Sequence, residues 1–210
     1  MKIAVIGAGK MGTGLGKIWL DKGHSVMYSF SHSAEKLEAL AASHPNALSG
    51  TPAEASAHGD IILLAVGWQS VRDAVTATGP VKDKIVIDCT NPLKKDLSDL
   101  EVGLSTSGGE EIARLFPEAR VVKAFNTVYA EVYHSLSRLF GSRMPTMLFC
   151  GDNREAKKAV SELIVQTGFE PVDAGPLTTA RYLEPLAMLM VRLGMEQQMG
   201  TNITLSLMRR

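Results

Sequence analysis

Apolar positions along this chain switch repeatedly between two spacings. A short apolar run, Ile3 to Ile6, follows a single Lys and predicts a strand. Met11, Leu15, Ile18 and Trp19 then fall at i, i+4, i+7 and i+8, one face of a helix that ends at Lys22-Gly23. Ser25 to Ser29 reads as a second strand. Ser33 caps a short helix with Leu37, Leu40 and Ala41 on its inner face. Ala47-Leu48 is a short third strand, and Thr51-Pro52 opens another helix, because proline suits a first turn.

Further on the runs become more apolar. Ile61 to Val66 is continuous, as expected of a strand buried on both faces of a parallel sheet. Helical spacing follows from Gln69 to Ala77. Ile85 to Cys89 and Val121 to Phe125 predict the fifth and sixth strands. Between them lie a polar, glycine-containing connection (Leu93 to Gly109) and a helix around Glu110 to Phe116. Helical signal returns at Tyr129 to Leu139, and Met147 to Cys150 reads as a seventh strand. Ala156, Ala159, Val160, Leu163 and Ile164 mark one more amphipathic helix, and Glu170 to Asp173 an eighth strand.

This alternation predicts an α/β fold, a doubly wound and mostly parallel sheet of the Rossmann type with right-handed crossovers. Residues 1–175 would form the dinucleotide-binding domain. Residues 176–210 form a small C-terminal helical and extended segment, opened by Pro176 and broken at Gly200-Thr201-Asn202. Its last part alternates (Ile203, Leu205, Leu207) as an extended strand does. Its Leu183, Leu186, Met188, Met190, Leu193 and Met195 carry more apolar surface than an exposed helix bears. That segment is expected to cap the substrate cleft, to pack in a homodimer, or both.

Composition narrows the class. Among 210 residues, Lys+Arg and Asp+Glu both number 22, so no strong field draws the protein to nucleic acid or an anionic membrane. No run approaches the roughly 18 apolar residues of a membrane span. The two cysteines, Cys89 and Cys150, end separate apolar runs and read as buried thiols, not a disulfide framework. A cytoplasmic protein is the expectation.

The chemistry begins directly after the first strand, at Gly7-Ala8-Gly9-Lys10-Met11-Gly12. A GxGxxG turn between a strand and a helix has a mechanism. Gly7 permits the tight turn, Gly9 lets a pyrophosphate approach the backbone, and Gly12 lets helix and strand pack closely. The helix N-terminus offers N–H groups and a positive dipole end to the phosphates. An NAD site usually carries an Asp or Glu about 20 residues on, gripping the ribose 2′-hydroxyl. Here Ser31-His32-Ser33 stands there instead, with no carboxylate before Glu35. Two hydroxyls, an imidazole and Lys36 suit a 2′-phosphate, hence NADP(H); the alternative is a plain capped turn.

By topology Gly67-Trp68-Gln69 and Thr90-Asn91-Pro92, after the fourth and fifth strands, lie over the nicotinamide half of the cofactor. Trp68 either flanks a planar ring or simply packs. Cys89 lies nearby and reads as a small core residue. His24 belongs to a structural turn, His44 and His58 to polar loops, and His134 to a helix near Tyr129 and Tyr133. There is no metal-ligand spacing, no Ser/His/Asp set and no paired-carboxylate signal. No residue is assigned as catalytic acid or base. Hydride transfer between two bound heterocycles needs positioning and exclusion of water more than either.

These residues resemble the deazaflavin-dependent NADP oxidoreductases, which pass hydride between NADPH and coenzyme F420. The chain also looks like the cytosolic oxidoreductase domain of the six-transmembrane ferric reductases. The resemblance rests on Lys2 to Gly12, Gly23-His24, Trp68, and Lys123-Ala124-Phe125-Asn126-Thr127. It continues through Cys150-Gly151-Asp152 with Ala156-Lys157-Lys158, and Asp173 to Leu177 with Arg181 and Glu184. It implies that Gly9, Lys10, Met11 and Gly12 hold the pyrophosphate and that Ser31, His32 and Lys36 face the 2′-phosphate. It also implies that Val66, Gly67, Trp68 and Gln69 run along the nicotinamide, with the deazaflavin or a flavin near the C-terminal segment. Two positions depart from the family: His32 stands where Arg is common, and Gly67 where Pro is common. Other readings of the same glycine turn are an imine reductase of the pyrroline-5-carboxylate reductase type, which carries a longer helical C-terminal domain, and a non-catalytic NADP(H)-binding redox sensor.

Overall fold

The apolar runs pair edge to edge into one eight-stranded sheet, ordered β3-β2-β1-β4-β5-β6-β7-β8. The computed structural model describes residues 1–135 and 139–210. The strands are β1 (Lys2–Ile6), β2 (Ser25–Ser29), β3 (Ala47–Ser49), β4 (Ile61–Leu64), β5 (Ile85–Asp88), β6 (Arg120–Lys123), β7 (Thr146–Gly151) and β8 (Glu170–Asp173). The helices are α1 (Lys10–Asp21), α2 (Ala34–Ala42), α3 (Pro52–His58), α4 (Val71–Thr78), α5 (Gly108–Leu115), α6 (Ala130–His134), α7 (Arg154–Gln166) and α8 (Ala180–Val191). Neighbouring strands are parallel except β6 and β7, which meet antiparallel.

The period of two in each strand divides its side chains between two cores. Ile3, Val5, Leu63 and Ile87 face one side with Leu15, Trp19, Phe125 and Phe169. Ala4, Ile6, Ile62, Leu64 and Val86 face the other with Ile112 and Phe116. β4 and β5 are buried along their whole length, which is why their runs read as unbroken. Several expected ends move. β4 stops at Leu64, and Ala65 and Val66 leave the sheet. β6 stops at Lys123, because Phe125 adopts φ +65° even though it is fully buried. The helix expected to run from Tyr129 to Leu139 spans Ala130–His134, and Ser135 is already extended (ψ 146°); residues 136–138 of that expectation lie outside the described residues. The alternating terminal segment forms no strand ladder among the described residues. Leu205 O accepts from Thr146 N (3.0 Å) and Thr146 Oγ1 accepts from Leu207 N (2.9 Å).

One interaction ties the carboxyl ends of the central strands together. Lys123 closes β6 with its ammonium fully buried, 2.8 Å from Asp88 of β5, 2.7 Å from Glu184 of α8 and 2.7 Å from Thr90 O. Glu184 also accepts from the N–H groups of Gly108 (2.8 Å) and Gly109 (3.0 Å), at the positive end of α5. Burial works against the lysine's charge, and the Asp88 and Glu184 carboxylates together overcome it, holding its pKa above the ordinary lysine range. Removing the cation strands two buried carboxylates. Lys123→Met is therefore expected to cost about 3–5 kcal/mol, read from urea unfolding near neutral pH; a loss under about 1 kcal/mol would show that the cluster is dispensable.

Candidate functional site at the carboxyl ends of the strands

The strand order reverses between β1 and β4, and the glycine turn lies at that point. Gly7 adopts φ +111°, and a Cβ there would stand 2.3 Å from Ala65 O. A Cβ on Gly12 would stand 2.1 Å from Gly7 O and 2.8 Å from Val5 Cγ1, so α1 rests directly on the turn. Gly9 differs from both. Among the described residues nothing lies within 4 Å of its hypothetical Cβ. It is also the N-cap of α1, where no side chain caps the helix and no acidic residue occupies the first turn. Uncapped N–H groups thus meet open space.

That space is a cleft of about 350 Å³. Gly7, Ala8 and Gly9 form one wall, Ala65, Val66, Gly67 and Ser70 a second, and Phe30, Ser31, His32, Ser33 and Lys36 a third. Ser33 shapes the third wall by capping α2, accepting from Lys36 N (3.1 Å), while its hydroxyl donates to Glu35 (2.7 Å). That bond holds the exposed Glu35 carboxyl below its usual range. Ser31 Oγ accepts from Ser33 N (3.2 Å). Among the described residues, no hydrogen bond or ion pair engages the side chain of His32 or Lys36.

The remaining expected site residues lie elsewhere. Lys10 does not line this cleft: its ammonium pairs with Glu131 of α6 (2.8 Å), and its carbonyl accepts from His134 Nε2 (2.8 Å). Met11 packs half-buried on the core and Gly12 is buried. Trp68 and Gln69 line a second cleft, about 510 Å³, beside α4 and α5. Gln69 Nε2 donates to Leu93 O (2.9 Å). The Trp68 ring and Pro92 both lie against Gly108, 3.1 Å and 3.3 Å from its hypothetical Cβ, so the indole packs over the capped end of α5. Asn91 lines a third cleft of about 170 Å³ with Asn126, Thr127, Tyr129, Ala187 and Met190.

Several groups that sequence reasoning did not assign shape this edge. Asn126 Nδ2 donates to Asn91 Oδ1 (3.0 Å) and Leu183 O (3.0 Å), and Asn91 Nδ2 donates to Asn126 O (2.8 Å). Arg181 grips Glu110 with two bonds (2.8 and 2.6 Å) and holds that carboxyl below its usual range. The only hint in the sequence was that Asn126, Arg181 and Glu184 sit in family motifs. Cys89 packs as a core residue, donating to Leu64 O (3.2 Å), and burial pushes its thiol far up. Among the described residues no helix is long and apolar enough to cross a membrane.

Comparison with known proteins fits this geometry. Residues 2–92 match the family model described as NADP oxidoreductase, coenzyme F420-dependent. A crystal structure of a putative F420-dependent NADP reductase from Arthrobacter sp. FB24 superposes with a TM-score of 0.88, at 30% identity over 100% of both chains. The chain belongs to this family. It is an oxidoreductase, and its cofactor is of the NADP type. The F420-dependent NADP reductase of Methanocaldococcus jannaschii is 27% identical over 98% of each chain. Rat metalloreductase STEAP3 is 31% identical over 90% of this chain, which spans 37% of that protein.

Gly9 and Gly12 separate binding from stability. Gly12→Ala is expected to lose about 2–3 kcal/mol in urea unfolding, because backbone stands where its methyl would go. Gly9→Ala should unfold within about 0.5 kcal/mol of the native chain yet bind NADPH roughly tenfold more weakly in a fluorescence titration. Undiminished NADPH binding by that variant would place the phosphates elsewhere.

Proposed function

We propose that this oxidoreductase moves hydride between NADP(H) and a planar acceptor, coenzyme F420 foremost and a flavin second. The observation that carries the reading is the open, uncapped N-terminus of α1 at Gly9, continuous with a wall holding two bases, His32 and Lys36, whose side chains have no partner among the described residues. The pyrophosphate sits on Gly9 and the first turn of α1, beside the backbone N–H groups of Lys10 and Met11. Ser31, His32, Ser33 and Lys36 take the 2′-phosphate. Val66 and Gly67 then lead the dinucleotide toward Trp68, Gln69, Asn91 and Pro92.

When bound, the reduced nicotinamide supplies a hydride, two electrons with one hydrogen nucleus. The chain's own part is placement and exclusion of water. The ionisable groups packed at the carboxyl ends of β5 and β6 are otherwise engaged. Asp88, Lys123 and Glu184 are buried against one another, and Cys89 is a buried neutral thiol. Tyr129 donates to Met190 O and Val191 O, and burial raises its pKa. This leaves direct transfer between stacked rings as the chemistry the site suits, with solvent providing the proton that completes a reduced deazaflavin.

In this reading residues 1–175 carry the dinucleotide and residues 176–210 roof the acceptor side, with Ala187 and Met190 of α8 on the cleft shared with Asn91. The exposed Leu189, Met195 and Met199 favour a homodimer that covers them. Two buried, unpaired thiols favour a reducing compartment, the cytoplasm.

Anaerobic mixing with NADPH and oxidised coenzyme F420 should bleach the deazaflavin absorbance in a hydride-transfer reaction, and NADH should do so much more slowly. Bleaching by neither donor would remove the deazaflavin, and a parallel flavin reaction then decides the acceptor class.

A further inference from the structure

His32 differs in kind from the other cation of its wall. Lys36 offers a primary ammonium, whereas an imidazole is the side-chain type that changes charge between about pH 5 and 8. Both line the cleft beside Ser31 and Ser33, and neither has a partner among the described residues. We propose that His32 is the specificity-determining residue for the ribose 2′-phosphate and makes the preference for NADPH over NADH fall as pH rises. The inference rests on the cofactor reading above and goes beyond it.

The electrostatic surroundings are simple. The charged residues of α2 are Glu35, Lys36 and Glu38; Glu35 is engaged by Ser33, and of the three Lys36 lines the cleft. The facing walls contribute Gly7, Ala8, Gly9, Ala65 to Gly67 and Ser70, none of which ionises in this range. A phosphate monoester has its second pKa near 6, so the 2′-phosphate is mostly dianion at about pH 6.5 and almost wholly so by about pH 7.5, a change that by itself strengthens NADPH binding with rising pH, opposite to the expected trend. Of the side-chain types on this wall, imidazole is the one whose ordinary charge change falls in this range. A bound dianion favours imidazolium, so NADPH binding takes up a proton once His32 is neutral in the free protein. Affinity for NADPH therefore weakens as pH rises from about 6.5, until the pKa in the complex is passed. NADH lacks the phosphate and carries no such term. A charge-assisted bond at an exposed rim corresponds to a change of about five- to tenfold in the ratio of the two affinities.

The test is fluorescence titration of the full chain with NADPH and with NADH at pH 6.5, 7.5 and 8.5. The native ratio of dissociation constants is expected to fall about five- to tenfold across this range. His32→Arg should show a high ratio at every pH, and His32→Gln a low one, with thermal unfolding confirming that both variants fold. A flat native ratio, or a slope that survives in His32→Gln, overturns the proposal. If even His32→Arg binds NADPH no better than NADH at pH 6.5, the 2′-phosphate is not read at this wall, and the cofactor placement fails instead.

Discussion

A buried ammonium sets the geometry of the ligand edge. Lys123 cannot stay charged in the interior alone, and Asp88 and Glu184 cannot stay charged there without it. The three groups, with the N–H pair of Gly108 and Gly109, fix the relative positions of β5, β6, α5 and α8. Trp68 and Pro92 rest on Gly108, so the cleft that Trp68 lines beside α4 and α5 inherits that placement. Apolar packing of the same volume would hold the elements together with less directional control. Four hydrogen-bonded partners converging on one charge pair hold them in one arrangement.

The opposite end of the edge is set by sterics instead of charge. Backbone carbonyls crowd Gly7 and Gly12, while Gly9 looks onto open space. Three glycines of one motif thus serve two different physical needs. Two allow α1, β1 and β4 to come together, and the third leaves room for a ligand. Because α1 has no side-chain cap at Gly9, its unsatisfied N–H groups remain available to an anion.

Strand runs, helix spacing and the glycine turn were legible in the sequence because each is a local signal. The misjudged boundaries are those where one residue overrides its neighbours. Phe125 is as apolar as any strand residue, and only its left-handed backbone takes the chain out of β6. The 3-10 turn Trp68–Ser70, which sets Trp68 and Gln69 on a cleft beside α4 and α5, also left no signal in the sequence. Lys10 follows the glycine turn but is drawn off by Glu131, a residue far along the chain. Lys123 reads in sequence like any polar strand end, and its partner Glu184 lies two helices and two strands later. Pairings at such separation leave no periodic trace.

The antiparallel joint between β6 and β7 has a geometric consequence. The two strands pair only at Lys123 with Cys150 and Val122 with Gly151, so most of β7 stands beyond the tip of β6. β8 runs alongside it, ending with Asp173 opposite Phe149. The strand pair is therefore a ruler laid past the edge of the sheet. Its overlap sets the height at which the chain turns back into α8. Lengthening that overlap by two residues would lower the exit by about 7 Å, enough to carry Glu184 out of reach of Lys123. The landing point of the last helix is thus measured by how little two strands of opposite direction share.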